Sequence, residues 1–323
     1  MKKITINTND ANQRLDNFLL KSFPKLTKAV LYKAIRNKRV KVNNKRITDI
    51  AYKVVAKDVL ELYINDEFLE KVVNTDFNNS KDELDIVYED ANVIVVNKPL
   101  GLVVHEDNDK QNADTLINRI KKYLMNKGEW NPNHENSFAP ALGHRLDRNT
   151  SGLIVSAKNF EALQSLQNCF KNQEVSKNYL GLVHGVLEEG GSQTLKLYIK
   201  DDETGIVKVS DSKLPEYKES ITKFKTVGIV KNKYSLVDIN LITGRKHQIR
   251  ASFQWLGFPL VGEKKYISKS SDRDYRFKYQ CLVSYKLKFN IKDKNDCLAY
   301  LNSKTFELKK SNIWFIKKIN SLN

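Results

Sequence analysis

The sequence predicts an α+β protein, with a small N-terminal module of two short helices and short strands ahead of a larger domain on a mixed, largely antiparallel sheet. Three observations carry this. Apolar side chains recur at helical spacing twice in succession over residues 14–36. Beyond residue 84, apolar and alternating runs read as strands, mixed with helix but without strict strand–helix alternation. Between the two regions, residues 65–83 are polar and weakly patterned, as a linker is. The expected division is therefore residues 1–77, module with the start of the linker, and residues 78–323.

In the first region Leu15, Phe18 and Leu19 fall at helical spacing and Pro24 follows the helix. Thr27 is placed to cap a second helix, whose apolar face is Val30, Leu31, Ala34 and Ile35. Arg39–Asn43 and Val59–Tyr63 read as short strands, and Asn43-Asn44 is a turn signal. In the second region Leu84–Tyr88 and Val93–Val96 read as strands. The second of these is continuously apolar, so burial on both faces is expected. Gly152–Ser156 reads as a strand, and residues 159–170 as a helix with Phe160, Leu163, Leu166 and Phe170 on one side. Tyr179–Val186 and Tyr234–Leu241 are further strands; in the latter Val237, Ile239 and Leu241 alternate with Asp238 and Asn240, the mark of a half-buried strand.

Composition narrows the function. Lys and Arg total 55 against 38 Asp and Glu, a net charge of +17. Such an excess points to a polyanionic partner, nucleic acid first. A lysine-rich habit of the source is the plainer alternative, since Lys, Asn and Ile are all plentiful. Apolar residues make up 41% of the 323, enough for a packed core, and no run approaches the roughly 20 apolar residues of a membrane-spanning helix. The start has two lysines with no apolar run behind them, so a cytoplasmic protein is expected. Cys169, Cys281 and Cys297 and the five histidines are scattered without metal or redox spacing. No metal is expected, and the cysteines read as small buried hydrophobes.

Three segments carry candidate chemistry. The first is Gly143-His144-Arg145-Leu146-Asp147-Arg148-Asn149-Thr150-Ser151-Gly152, a polar stretch running straight into an apolar strand. Asp147 sits between two arginines that favour its charged form, and an ionised carboxylate near a scissile C–N bond can be a nucleophile. By residue type alone, a surface loop with salt bridges is the better reading. The second is Lys177-Asn178-Tyr179-Leu180-Gly181-Leu182-Val183-His184-Gly185. An aromatic such as Tyr179 can stack on a base for about 1–3 kcal/mol, and its phenol can pass a proton. The third is Leu241–Arg250. Thr243 is expected to cap a helix over residues 244–256, ended by Gly257, with Ile249, Phe253 and Leu256 on its buried stripe. Arg245 then lies in the first turn, where a cation opposes the helix dipole unless an anion is waiting.

The first segment resembles the signature of the RluA family of pseudouridine synthases, and it is long and intact. The resemblance implies an isomerase that breaks the uridine N1–C1′ bond and rejoins the base through C5. It makes Asp147 the nucleophile and associates Arg145 with pushing the target base from its stack. Tyr179 would pack on that base, and Arg245 would pair with Asp147. His144, Arg148, Lys177, His247, Gln248 and Arg250 are carried along as RNA contacts. Two weaker matches agree, Lys98–His105 and Gly257–Tyr266, although the family usually has Asp where Glu263 stands and a His where Ser252 stands. Those departures bear on substrate contacts rather than on the proposed catalytic residues. The N-terminal run resembles the alpha-L RNA-binding module, which implies phosphate contacts from Lys28, Lys33, Arg36, Lys38 and Arg39.

The reaction needs no redox change or phosphoryl transfer, so no cofactor is expected. The implied partner is structured RNA, ribosomal RNA of the large subunit first, with no protein partner and a monomeric state. A catalytically silent RNA-binding or ribosome-assembly protein would not need the intact signature around Asp147. A glycosidic hydrolase would need a second, water-activating carboxylate, and none lies in the three segments. Whether Asp147 attacks C1′ or abstracts a sugar proton stays open in the sequence.

Overall fold

A computed structural model describes residues 1–71, 77–105, 114–267 and 276–321. The N-terminal module orders β1 (Lys2–Thr5), α1 (Leu15–Ser22), α2 (Lys28–Arg36), β2 (Val40–Val42), β3 (Lys45–Arg46) and β4 (Val59–Leu62), with the strands in the order β1-β4-β2-β3. The Thr27 side chain accepts the Val30 N–H at 3.3 Å, the cap the sequence implies. Asn43 and Asn44 both take positive φ, 49° and 66°, as a two-residue hairpin turn requires. The helices bury Leu15, Phe18, Leu19, Leu31 and Ile35 against Val40, Leu60 and Leu62, which gives the module its own apolar core. Within the module the sequence reading missed β1 and β3: four residues, half of them lysine, and a two-residue Lys-Arg strand carry little strand signal.

The remaining elements are β5 (Ile86–Glu89), β6 (Val93–Lys98), α3 (Leu116–Asn126), β7 (Ala141–Leu142), β8 (Ser151–Ala157), α4 (Phe160–Lys171), β9 (Val175–His184), β10 (Ser192–Asp201), β11 (Val207–Ser210), β12 (Lys218–Val230), β13 (Tyr234–Leu241), α5 (Gln248–Trp255), β14 (Leu282–Phe289), β15 (Thr305–Glu307) and α6 (Trp314–Ser321). The strands form one mixed sheet, β11-β10-β12-β13-β9-β14-β8-β6-β5, with β15 beside β14 and β7 beside β8. Every pairing among the described strands is antiparallel except β14 with β8. The expected α+β class holds, and β6 is buried on both faces along Val93–Val96. Alternation sorts its side chains: Ile94 and Val96, with Ile154, pack against Leu116, Ile120 and Leu124 of α3 and Ile249 and Phe253 of α5. Val93, Val95, Leu153 and Val155 face α4, and Leu180, Leu182 and Val283 face Phe315 of α6.

The linker is less free than its polarity suggests. Leu69 packs in the module's core. Phe77, placed by the sequence with the first unit, is buried in the second, edge-on to Trp130 at 5.4 Å. The Lys122 ammonium holds the carbonyls of Asn78 and Ser80 at 3.0 and 2.7 Å. One phenylalanine in a polar stretch gives no periodicity, so the boundary was not legible there. Cys169 and Cys281 are buried, as expected, and Cys297 half-buried. Among the described residues no helix is long and apolar enough to cross a membrane.

Candidate active site

Asp147 stands in the loop from β7 to β8, on the face of the sheet that carries α3 and α5. Thr150 N–H closes a turn on the Asp147 carbonyl at 3.1 Å, and β8 follows directly. Gly152 then lies against β14 with φ +115°, where an added Cβ would sit 2.1 Å from the Ser284 carbonyl oxygen. Only glycine fits that approach. Beneath the loop lies Lys98, fully buried at the end of β6. Its ammonium donates to the carbonyls of Pro99, Leu102 and Arg148 at 3.0, 2.7 and 3.0 Å. Burial pushes this lysine down to about 7, and the Asp147 charge opposes the shift. The three carbonyls use all three N–H groups of the ammonium form, so we read it as charged. Lys98 thus ties the turn after β6 to the Asp147 loop.

The cation on Asp147 comes from neither flanking arginine nor from Arg245. Arg250 Nη1 donates to Asp147 Oδ2 at 3.0 Å, and His247 Nε2 is 3.9 Å from the same oxygen. Arg145 and Arg148 are exposed. The expected helix over residues 244–256 begins only at Gln248, and this displaces every residue before it. Thr243 does not cap the helix: its hydroxyl donates to Gln248 Oε1 and accepts the Ile221 N–H, at 2.9 and 2.8 Å. His247 bridges the turn in the left-handed conformation, φ +50°, a region that histidine tolerates better than most residues. Arg245 therefore stays exposed on the rim, its Nε on the Glu219 carbonyl at 2.9 Å. Arg250 occupies the first turn and meets the anion that a cation there requires. Gly257, φ +85°, follows the helix end as expected.

Arg250 is gripped from behind. Glu263, 2% exposed, accepts its Nε and Nη2, both at 2.7 Å, and also takes the backbone N–H of Lys264 and Lys265 at 2.9 and 2.8 Å. Burial would raise the Glu263 carboxyl, but Arg250 and the two N–H groups outweigh it and hold it lowered. Burial likewise opposes the Arg250 charge, and the Glu263 and Asp147 carboxylates outweigh it, so the guanidinium is more firmly cationic than usual. The Glu263 departure noted in the sequence thus bears on Arg250 and not on a substrate contact. Gln248, expected to touch RNA, is buried instead. Its Oε1 accepts from Thr243 and from the Arg245 N–H, and its Nε2 donates to Ile221 O and Thr222 Oγ1, at 2.9, 2.9, 3.1 and 3.0 Å. Its whole amide secures the 243–247 turn to β12.

Tyr179, 5% exposed, projects from the centre of β9 into the same cleft. Burial first, and the Asp147 charge second, push its phenol well up, so it keeps its proton at neutral pH. Lys177 lies two residues earlier on the same strand face; burial lowers its ammonium, which sits 5.6 Å from the Phe170 ring. His144 packs on Phe170 at 5.0 Å with both ring nitrogens shielded, and burial takes it down to about 3. It is therefore a neutral wall rather than a phosphate-binding cation. His247 shares a 2.8 Å hydrogen bond with the Tyr266 hydroxyl, and burial lowers it against the pull of Asp147. The cleft encloses about 880 Å³, with Arg145, Lys177, Lys218, Arg245 and Lys246 around it. On the module, Lys28, Lys33, Arg36, Lys38 and Arg39 are all exposed.

His144 gives the structure a pH signature. Its pKa falls from an ordinary 6.5 to about 3 on folding, so the unfolded chain takes up a proton that the folded protein refuses. Stability from this group is present above pH 6.5 and lost as pH falls toward 3, by at most about 1.4 kcal/mol per unit. The variant His144→Leu, titrated by chemical denaturation between pH 6 and 4, is expected to show a shallower loss than the native protein. An unchanged slope would mean His144 is not held neutral.

The fold, the Asp147 cleft and the basic helical module fit the pseudouridine synthase class that the sequence resembles. Comparison with known proteins agrees. The chain belongs to the RNA pseudouridylate synthase family, whose model matches residues 92–255, and an S4 domain matches residues 13–60. It is similar to an uncharacterized RNA pseudouridine synthase of Mycoplasma genitalium, 36% identical over 293 residues, covering 89% of this chain and 88% of that protein. It is also similar to ribosomal large subunit pseudouridine synthase C of Rickettsia bellii, 32% identical over 283 residues, covering 81% and 85% of the two chains. Among solved structures, human RNA pseudouridylate synthase domain containing 1 superposes with TM-score 0.51 at 25% identity, over 74% of this chain and 96% of that one. The chain is thus an RNA pseudouridine synthase, an isomerase of the RluA family, and its S4 domain is the alpha-L module that the sequence resembled.

Proposed function

We propose that Asp147 is the catalytic carboxylate and that the substrate is a set of uridines in large-subunit ribosomal RNA. The observation carrying the first part is the state of the Asp147 carboxylate. Arg250 holds Oδ2 at 3.0 Å, while the described residues give Oδ1 no hydrogen bond. One oxygen is anchored and the other is open to the cleft. A uridine must leave its stack to reach it, at a cost of a few kcal/mol, and Arg145 at the mouth is placed to fill the gap. Asp147 then meets the sugar, either at C1′ or at a ring proton, and the N1–C1′ bond breaks. The freed uracil turns against the Tyr179 ring, C5 bonds to C1′, and the C5 proton leaves as N1 takes one up. Tyr179, protonated at neutral pH, serves as a platform and a hydrogen-bond donor before it can serve as a base. Lys177 and the exposed lysines and arginines of the cleft neutralise phosphates.

The ribosomal assignment rests on similarity to a protein named for the large ribosomal subunit, together with the S4 module. Mapping pseudouridines across large-subunit ribosomal RNA from cells with and without the gene tests it. Loss of specific sites in that RNA is expected; an unchanged ribosomal map, with losses in transfer RNA, would overturn the assignment.

A further inference from the structure

The seam between the S4 module and the catalytic domain is built around one carboxylate. Asp10 follows β1 and is fully buried. Its Oδ1 accepts the N–H of Ser137 at 2.9 Å, the N–H of Phe138 at 2.8 Å and the Ser137 hydroxyl at 2.8 Å, and Oδ2 accepts the Asn136 N–H at 2.8 Å. Three consecutive backbone N–H groups of the catalytic domain thus wrap one anion of the module, an arrangement suited to holding negative charge. The surrounding contacts are as specific. Gln13 Nε2 donates to the Ser137 hydroxyl at 2.6 Å, Asn9 Nδ2 to Glu135 Oε1 at 2.8 Å and Asn12 Nδ2 to Glu161 Oε2 at 2.8 Å. The Lys21 ammonium lies 4.9 Å over the Phe160 ring.

Domains joined by a linker move relative to one another unless their interface prevents it. Here a buried charge with four donors fixes one register, because a slipped seam would leave that charge and its donors without partners. Lys28, Lys33 and Arg36 on α2 are thereby held at a set offset from Asp147. We propose that Asp10 is a positioning residue that determines specificity: it locks the module so that structured RNA gripped by α2 presents one particular uridine to the cleft. The RNA must be long enough to span both surfaces. The inference rests on the reading that uridines react at Asp147.

The test uses full-length Asp10→Ala and two measurements. The first is amide hydrogen exchange at Asn136, Ser137 and Phe138, which needs no catalysis. Their exchange is expected to quicken at least tenfold, while the Leu31 and Ile35 amides inside the module stay protected. The second is single-turnover modification of two RNAs: a stem-loop too short to reach α2, and a long ribosomal RNA fragment. The rate on the stem-loop should stay within twofold of native, and the distribution of pseudouridine along the fragment should broaden, with the native preference reduced at least tenfold. Unchanged exchange at residues 136–138 overturns the lock. Faster exchange with native site choice overturns the role in specificity. A native protein inactive on every RNA defeats the proposed reaction and leaves the exchange result standing. If Asp10→Ala loses the protection of Leu31 and Ile35, Ser137→Ala decides the matter: it lies outside the module and removes one donor to Asp10 and the acceptor of Gln13, and the same shifts are expected in smaller measure.

Discussion

Asp147→Asn leaves RNA affinity within a few-fold of native and lowers pseudouridine formation by at least about a thousandfold, the scale on which enzymes lose a nucleophile. Asparagine keeps the volume and still offers an oxygen to Arg250. It lacks the charge that either proposed step requires, attack at C1′ or removal of a sugar proton. Folding is expected to survive, because the buried Arg250 retains its two bonds to Glu263. The measurement is single-turnover conversion of saturating RNA with binding measured in parallel. Native turnover by the Asn variant would remove Asp147 from the mechanism.

Glu263→Gln has the second largest expected effect, and it acts at one remove. Breaking a buried ion pair by neutralising one partner costs about 3–5 kcal/mol, which lowers the melting temperature by roughly 10 °C in a domain of this size. The structural cost alone would say nothing about catalysis. The distinguishing readout is the single-turnover rate constant at a temperature where the variant is folded. With its back support gone, Arg250 no longer fixes Asp147, and a misplacement of about 1 Å at a reacting group is worth about a hundredfold. RNA affinity should hardly move. Glu263→Asp keeps the charge on a shorter stem and should recover much of both losses. A destabilised Glu263→Gln with an unaltered rate constant would reduce Glu263 to a packing role.

Much of this was legible in the sequence, and the losses have physical reasons. Thr27, the Asn43-Asn44 turn, the unbroken apolar run of β6 and the end of α5 at Gly257 were readable because each is a local backbone requirement. Asp147 and Tyr179 were found through motif resemblance and lie in one cleft. The family resemblance paired Asp147 with Arg245, and a helix onset set by the nearest capping residue put Arg245 in a first turn where an anion was expected. In the fold, Gln248 claims the Thr243 hydroxyl, His247 turns left-handed, and the helix starts four residues later than expected. Both arginines belong to one short segment, and what tells them apart is where the helix starts, with Arg245 before it and Arg250 in its first turn. Lys98 was given no role, and Glu263 was tied to substrate contacts rather than to Arg250, because their work depends on burial, which charged residues do not advertise. The strands β10 and β12 escaped notice because the buried face of β12 carries Ser220, Thr222 and Thr226, and β10 opens on Ser192-Gln193-Thr194, so apolar residues mark neither face clearly.

The one parallel pairing among the described strands, β14 beside β8, sets a timetable for synthesis. Ser151 and Gly152 meet Val283 and Ser284, so the strand on which Gly152 leans is made more than a hundred residues after it. β14 also lies between β8 and β9, the strands that carry the Asp147 loop and Tyr179. Until the chain has emerged past Phe289, these two strands have no bridge and the two side chains have no common frame. Contacts of such long sequence separation form slowly and late. A growing chain therefore exposes a finished RNA-gripping module well before it owns a working centre, and an incomplete product can hold RNA without altering it.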